Sequence, residues 1–268
     1  MHGLGNDFIV INALDKPFEM DVASIAKLAH RRTGVGFDQL LIVEPPDSPG
    51  VDFNYRIFNA DGGEVENCGN GARCFARYVT DKGLVDKPEL KVSTTGGLME
   101  LVVLNDTDVT VRMGKPEFEP QLVPFVADEL ATSYEVEVDG EMQVFGVVSL
   151  GNPHAVCWVQ DVQQAEVLKL GPKIECHPRF PNRVNAGFAQ LVSRSEIRLR
   201  VFERGVGETM ACGTGACAAV AVGISQGVLD TTVNVHLGGG DLQVRWLDNN
   251  AQVEMTGPSE TVFEGRLE

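Results

Sequence analysis

Basic residues, cysteines and long apolar runs are all scarce in this chain. Its 268 residues hold 22 Lys and Arg against 38 Asp and Glu, a formal net charge of −16. A general binder of the phosphate backbone needs basic patches, so no nucleic-acid partner is expected. The charge favours solubility and says little about a small substrate. The longest apolar run, Ala216–Ile224, covers nine residues, against the about 20 that a membrane helix needs. Residues 1–8 carry neither the basic nor the apolar segment of a secretory signal, so the expectation is a cytoplasmic protein with no membrane partner. Six cysteines are too few for a disulfide scaffold, and reduced thiols are expected. Cys176-His177 has no second pair to complete a ligand set, so no metal is expected. The Gly-x-Gly pieces lack both the third glycine and the Lys-Ser/Thr of a nucleotide site.

What the chain does contain is a duplication. Cys68-Gly69-Asn70-Gly71-Ala72 returns 144 residues later as Cys212-Gly213-Thr214-Gly215-Ala216. Aligned without gaps, residues 56–72 and 200–216 match at 8 of 17 positions, among them Arg56/Arg200, Phe58/Phe202 and Glu64/Glu208. Ordinary composition gives roughly one match. Leu4-Gly5-Asn6 returns as Leu150-Gly151-Asn152, and Gly36-Phe37-Asp38-Gln39-Leu40 as Gly187-Phe188-Ala189-Gln190-Leu191. Gly-Gly hairpin signals follow at Gly96-Gly97 and Gly238-Gly239-Gly240. Val111–Pro116 and Val253–Pro258 close the copies. A shared order across two long copies implies two similar domains rather than a solenoid.

The proline-marked stretch Pro116–Pro120 sets the expected boundary, giving domains 1–118 and 119–268. Alternating segments such as Glu100–Met113, Tyr134–Val148 and Ile197–Phe202 read as strands. Helices are expected at Val22–Arg32, after the first cysteine motif (Ala72, Phe75, Ala76, Val79) and at Ala216–Gln226. The last is apolar nearly all round, as a helix buried inside a domain would be. The fold class follows: α+β, with two pseudo-symmetric repeat domains. Each is a curved, mostly antiparallel sheet wrapped around a central helix, with the active site expected in a cleft between them.

Each motif cysteine falls at the start of its helix, where backbone N–H groups and the positive end of the macrodipole lie. That position is expected to lower the thiol pKa. The N–H groups at Gly69 and Gly213 can hold a carboxylate. Two such ends gripping one carboxylate would set a thiol or thiolate on each face of the adjoining carbon. That arrangement suits stereoinversion at Cα of an amino acid: one thiolate takes the proton and the opposite thiol returns one. Cys74 and Cys217 lie inside the helices and read as core, and Cys157 and Cys176 as structural. His154, after Asn152-Pro153, reads as a loop histidine. Glu203-Arg204 reads equally as a surface ion pair or as part of the site.

The same residues carry a family resemblance. The segments are His2–Phe8, Gly36–Leu40, Phe58–Gly62, Cys68–Cys74, Gly151–His154, Arg183–Gly187, Glu203–Gly205 and Ala211–Ala216. In them the chain resembles the diaminopimelate epimerases. The resemblance implies interconversion of LL- and meso-diaminopimelate, on the route to lysine and peptidoglycan, with no cofactor and no metal. It implies acid and base roles for Cys68 and Cys212. Gly69, Asn70, Gly213 and Thr214 would hold the reacting carboxylate, and Asn6, Gln39, Asn59, Asn152, Asn185, Glu203 and Arg204 would bind substrate. His154 and Glu203 would tune the cysteines. Thr214 stands where many members have Ser. Phe263 stands at a C-terminal aromatic position linked in the family to the dimer contact, so a homodimer is expected. Three other readings fit parts of the sequence: a proline-type epimerase, a thiol–disulfide redox protein and an amino-acid-binding module. The first would waste Arg204 and its asparagines, and the second would usually keep its cysteines close together.

Overall fold

The protein is described by a computed structural model covering residues 1–66 and 68–266. It divides into two compact units: Met1–Arg112 with the segment from Thr256 onward, and Met113–Met255. The division falls before the proline-marked stretch because the closing segments change sides. Met113 N donates to Val253 O, and Val253 N to Gly114 O, within the second unit. Thr256 Oγ1 meets Thr110 Oγ1 at 2.7 Å within the first.

Unit one runs β1 (His2–Gly3), β2 (Asn6–Asn12), α1 (Val22–Ala29), β3 (Gln39–Glu44), β4 (Phe53–Asn59), β5 (Glu64–Val65), α2 (Gly69–Asp81), β6 (Glu89–Thr94), β7 (Gly97–Val103) and β8 (Asp108–Arg112). Strand β2 pairs parallel with β3 across the α1 connection, β3 antiparallel with β4, and β4 parallel with β6. The run Leu40–Val43 is apolar throughout because both faces of β3 are covered. Ile25 and Ala29 of α1 pack on Leu40, Ile42 and Phe58. Helix α2 lies against β1, β2, β3, β7 and β8.

Unit two begins with β9 (Tyr134–Val138) and β10 (Glu141–Ser149), then repeats the plan. Its elements are β11 (Pro153–Trp158), α3 (Val167–Glu175), β12 (Asn185–Ser193), β13 (Glu196–Glu203), β14 (Gly207–Thr209), α4 (Gly213–Ser225), β15 (Thr232–Leu237) and β16 (Gly240–Arg245). A last strand, β17 (Glu254–Pro258), starts in unit two and ends in unit one. Helix α4 lies against β10, β11, β12, β13 and β16. Its interior positions are buried on every side, as its apolar composition requires.

The registers prove the duplication residue by residue. Ile57 and Phe58 face Val65 and Glu64, while Val201 and Phe202 face Thr209 and Glu208. Phe8 faces Gln39 across a parallel pair, and His154 faces Asn185 across another. Phe53 faces Val92 as Ile197 faces Val235. The hairpins Thr94/Gly97 and Leu237/Gly240 turn where the glycine signals stood. Even a bidentate ion pair is copied: Arg56 Nε and Nη2 reach Glu64 at 2.7 and 3.0 Å, and Arg200 reaches Glu208 at 2.6 and 3.0 Å.

Several expectations need correction. The match of Gly36–Leu40 with Gly187–Leu191 is a coincidence of composition. The register makes Gln39 the equivalent of Asn185, five residues earlier than that match would have it. Glu100–Met113 is two strands with a turn at 104–107, and Tyr134–Val148 is broken at Asp139-Gly140, where both residues take positive φ. Helix α3, the counterpart of α1, was not expected. It carries Gly171 and Pro172, both poor in helix interiors. Gly171 is there because a Cβ would fall 2.5 Å from the Phe202 ring.

Candidate active site

Each motif cysteine is the N-cap of a 13-residue helix, Cys68 of α2 and Cys212 of α4. The first helical bonds run from Ala72 N to Cys68 O and from Ala216 N to Cys212 O. The N–H groups of residues 69–71 and 213–215 therefore lie outside the helical ladder and point out of the helix end. Gly71 N donates to Cys68 Sγ at 3.4 Å. The third residue of both helices must be glycine. A Cβ at Gly71 would sit 2.5 Å from Tyr55 Oη, and one at Gly215 2.9 Å from Val201 Cγ2 and 3.2 Å from Cys212 Sγ.

The strand registers bring the other candidates to equivalent places. Asn6, Gln39 and Asn59 stand at strand ends in unit one, and Asn152, Asn185 and Glu203 take the same positions in unit two. Asn70 and Thr214 are both second in their helices. One bond is duplicated across different side chains. Asn70 Nδ2 lies 3.4 Å from Asn6 Oδ1, and Asn152 Nδ2 lies 3.4 Å from Thr214 Oγ1.

Beyond that the units differ. In unit one, Gln39 Nε2 donates to Asn59 Oδ1 at 2.9 Å, and Asn6 Nδ2 donates to Asp38 Oδ2 at 2.9 Å. Asp38 is held in turn by Arg31 at 2.7 Å, which also grips Asp7. The Asp38 carboxylate accepts only, so it fixes which end of the Asn6 amide faces α2. In unit two, Asn185 Nδ2 donates to Pro153 O and its Oδ1 accepts from Arg204 N, both at 2.9 Å. The Arg204 side chain is exposed and reaches Asn182 O, with no ion pair to Glu203 among the described residues. Glu203 is part-buried and accepts from Thr209 Oγ1 and from the Cys212 thiol. Burial raises its carboxyl above the ordinary value.

His154 is in β11, 1 % exposed, not in a loop. Its Nε2 donates to Asn152 Oδ1 at 3.0 Å. Burial, helped by the Arg204 charge, lowers its pKa to about 3, so the ring is neutral. Asn152 links it to Thr214, whose Oγ1 lies 3.6 Å from Cys212 Sγ. Cys212 itself overturns the expectation of a lowered thiol. It is 4 % exposed, and burial, then the Glu203 carboxylate, pushes its pKa well up. The helix end and Thr214 cannot offset that desolvation. Cys74 and Cys157 are raised to about 12 by burial and are inert core thiols. Cys176 ends α3 and is exposed.

Sequence reasoning missed Asp38 and Thr209. Asp38 lay inside a quoted motif, and Thr209 pairs with Val201 beside the site. Among the described residues no cluster of His, Cys, Asp and Glu could hold a metal.

The arrangement is two cysteines, each the N-cap of a 13-residue helix, carried on duplicated α+β units. Solved structures share the fold of these units. A PhzF-family phenazine biosynthesis protein from Bacillus anthracis aligns with TM-score 0.66 at 20 % identity, over 96 % of this chain and 91 % of that one. A hydroxyproline epimerase from Agrobacterium vitis aligns with TM-score 0.64 at 17 % identity, over 96 % and 87 %. The fold class is therefore that of the phenazine-biosynthesis and proline-racemase type proteins. Within it, the chain belongs to the diaminopimelate epimerase family, whose model matches residues 1–119 and 146–262. The diaminopimelate epimerase of Pseudomonas entomophila is 56 % identical over 267 residues, all of this chain and 97 % of that protein.

Proposed function

We propose that this protein is a diaminopimelate epimerase that inverts one α-carbon of 2,6-diaminopimelate, interconverting the LL and meso forms in lysine and peptidoglycan precursor synthesis. The observation that carries the reading is the duplicated N-cap cysteine on twin helices, within a family that the whole chain matches. Cys68 and Cys212 are the acid and base. The chemistry requires them to reach opposite faces of one carbon. A thiolate takes the Cα proton, and charge moves onto the carboxylate oxygens. The other thiol then gives its proton to the opposite face, so the two sulfurs end with exchanged protonation. Backbone N–H groups at Gly69, Asn70, Gly213 and Thr214 stabilise the enolate-like charge, usually a large contribution.

Cys212 rests as the thiol, hydrogen-bonded to Glu203, so Glu203 is placed to accept its proton when the thiolate is needed. The two sulfurs titrate as one coupled unit. Asn6, Gln39, Asn59, Asn152, Asn185 and Arg204 supply donors and acceptors suited to a zwitterionic distal amino-carboxylate, and Arg204 can take the carboxylate bidentately. His154 acts through Asn152 and Thr214. Neither cofactor nor metal is required.

The reading extends to a homodimer in the cytoplasm. Phe263 is 59 % exposed, which suits a contact between copies, and among the described residues no helix is long and apolar enough to cross a membrane. Pyridoxal-free protein is expected to convert LL-diaminopimelate to the meso form, with Cys68→Ala and Cys212→Ala each losing about 10³-fold or more in kcat. Conversion of proline instead would overturn the substrate. Activity surviving either substitution would overturn the two-thiol chemistry.

A further inference from the structure

Tyr55 lies in the middle of β4 and plays no part in the chemistry above. Its side chain is 0 % exposed and its ring packs on Phe75, with centroids 4.6 Å apart. Its hydroxyl is buried and has no hydrogen-bond partner among the described residues, a state that native cores rarely leave without cause. The oxygen sits under the first turn of α2, 2.5 Å from where a Gly71 Cβ would be, and Gly71 N donates to Cys68 Sγ. The repeat sharpens the point. By register, Tyr55 corresponds to Leu199, a buried residue with no hydroxyl. Two strands across the sheet the change runs the other way, Phe8 in unit one and His154 in unit two. Each unit thus buries one polar side chain at this pair of positions.

We propose that Tyr55 is a positioning residue for Cys68, its hydroxyl donating into the first turn of α2 and stabilising the thiolate when Cys68 carries the charge. The phenol keeps its proton throughout, and no covalent bond changes. Burial, with the charges of Cys68 and Cys74, pushes the Tyr55 phenol well up, so it stays a donor at any working pH. Among the described residues the other titratable groups around this turn include Cys74 and Arg73 on α2 and the amino terminus before β1. Tyr55→Phe leaves all three in place.

The inference rests on the two-thiol reading, and its test separates the two. Full-length wild type and Tyr55→Phe are alkylated with iodoacetamide across a pH series, and Cys68 modification is read by peptide mass spectrometry beside epimerisation kinetics. The Cys68 midpoint is expected to rise by about one pH unit in Tyr55→Phe, with thermal stability not lowered. An unmoved midpoint overturns the role of Tyr55 even in an active enzyme. A variant that unfolds overturns it too, because the hydroxyl would then have a structural partner. Alkylation needs no turnover, so a wild type that fails to epimerise would refute the function without touching the Tyr55 result.

Discussion

Asn59 and Glu203 occupy the same place in the two units, and only one of them can take a proton. Around them the copies agree closely: strand register, helix start, glycine at the third helical position and a bidentate Arg–Glu pair. Unit one answers with amides. Gln39 holds Asn59, and Asp38 holds Asn6. Unit two answers with titratable groups, a carboxylate on the Cys212 thiol and a buried neutral imidazole linked to it through Asn152 and Thr214. The difference teaches that this duplication holds its scaffold constant and varies its chemistry at a few strand ends. Near-symmetric geometry suits the proposed inversion at one carbon, while the surroundings of Cys212, burial and then Glu203, raise its thiol pKa.

The contrast breaks most visibly in acid. His154 has a folded pKa of about 3 against an ordinary 6.5, whereas Phe8 at the same place cannot titrate. Between those values only the unfolded chain takes the proton. The His154 contribution is therefore complete above about pH 6.5 and lost as pH falls toward 3. The expected loss is roughly 3 kcal/mol between pH 7 and pH 4. Denaturant titrations of wild type and His154→Phe should show the loss in the first and its absence in the second; equal pH dependence would refute it.

Next comes Glu203→Gln, which makes unit two resemble unit one. Its kcat is expected to fall about 10²-fold. The Cys212 alkylation midpoint should move down, because the negative neighbour goes while burial stays. Asn59→Ala is expected to raise KM and spare kcat. If the two variants lose kcat alike, the units do not differ in the way described. The smallest effects test the shared scaffold. Arg56→Ala and Arg200→Ala should each cost about 0.5–1 kcal/mol in urea unfolding, as half-exposed pairs do. A gap between them well above that range would mean the copied pairs are not equivalent.

Much of this was legible in the sequence. The cysteine helices showed because their glycines and periodicity recur, and the α4 core position showed because that helix has no polar face. Helix α3 was hidden by Gly171 and Pro172, and the place of Gly171 is set by the Phe202 ring and not by helix propensity. His154 looked like a loop residue because Asn152-Pro153 marks a turn. Pro153 in fact opens β11, a position where its missing N–H is tolerated. The helix-start argument for Cys212 weighed the dipole and could not see burial or Glu203. Asp38 and Thr209 act through bonds that only register and chain return create.

The central claim, two thiols each serving one face, is tested most directly by isotope position. Wild type is run in heavy water from the LL and from the meso isomer and stopped at low conversion. Deuterium at Cα is then measured separately in product and in recovered substrate. Deuterium is expected in the product and protium in the recovered substrate, in both directions, because the thiol that takes the proton is not the one that returns it. Product that keeps the substrate's own protium, or equal labelling of both pools, would contradict it and require a single base.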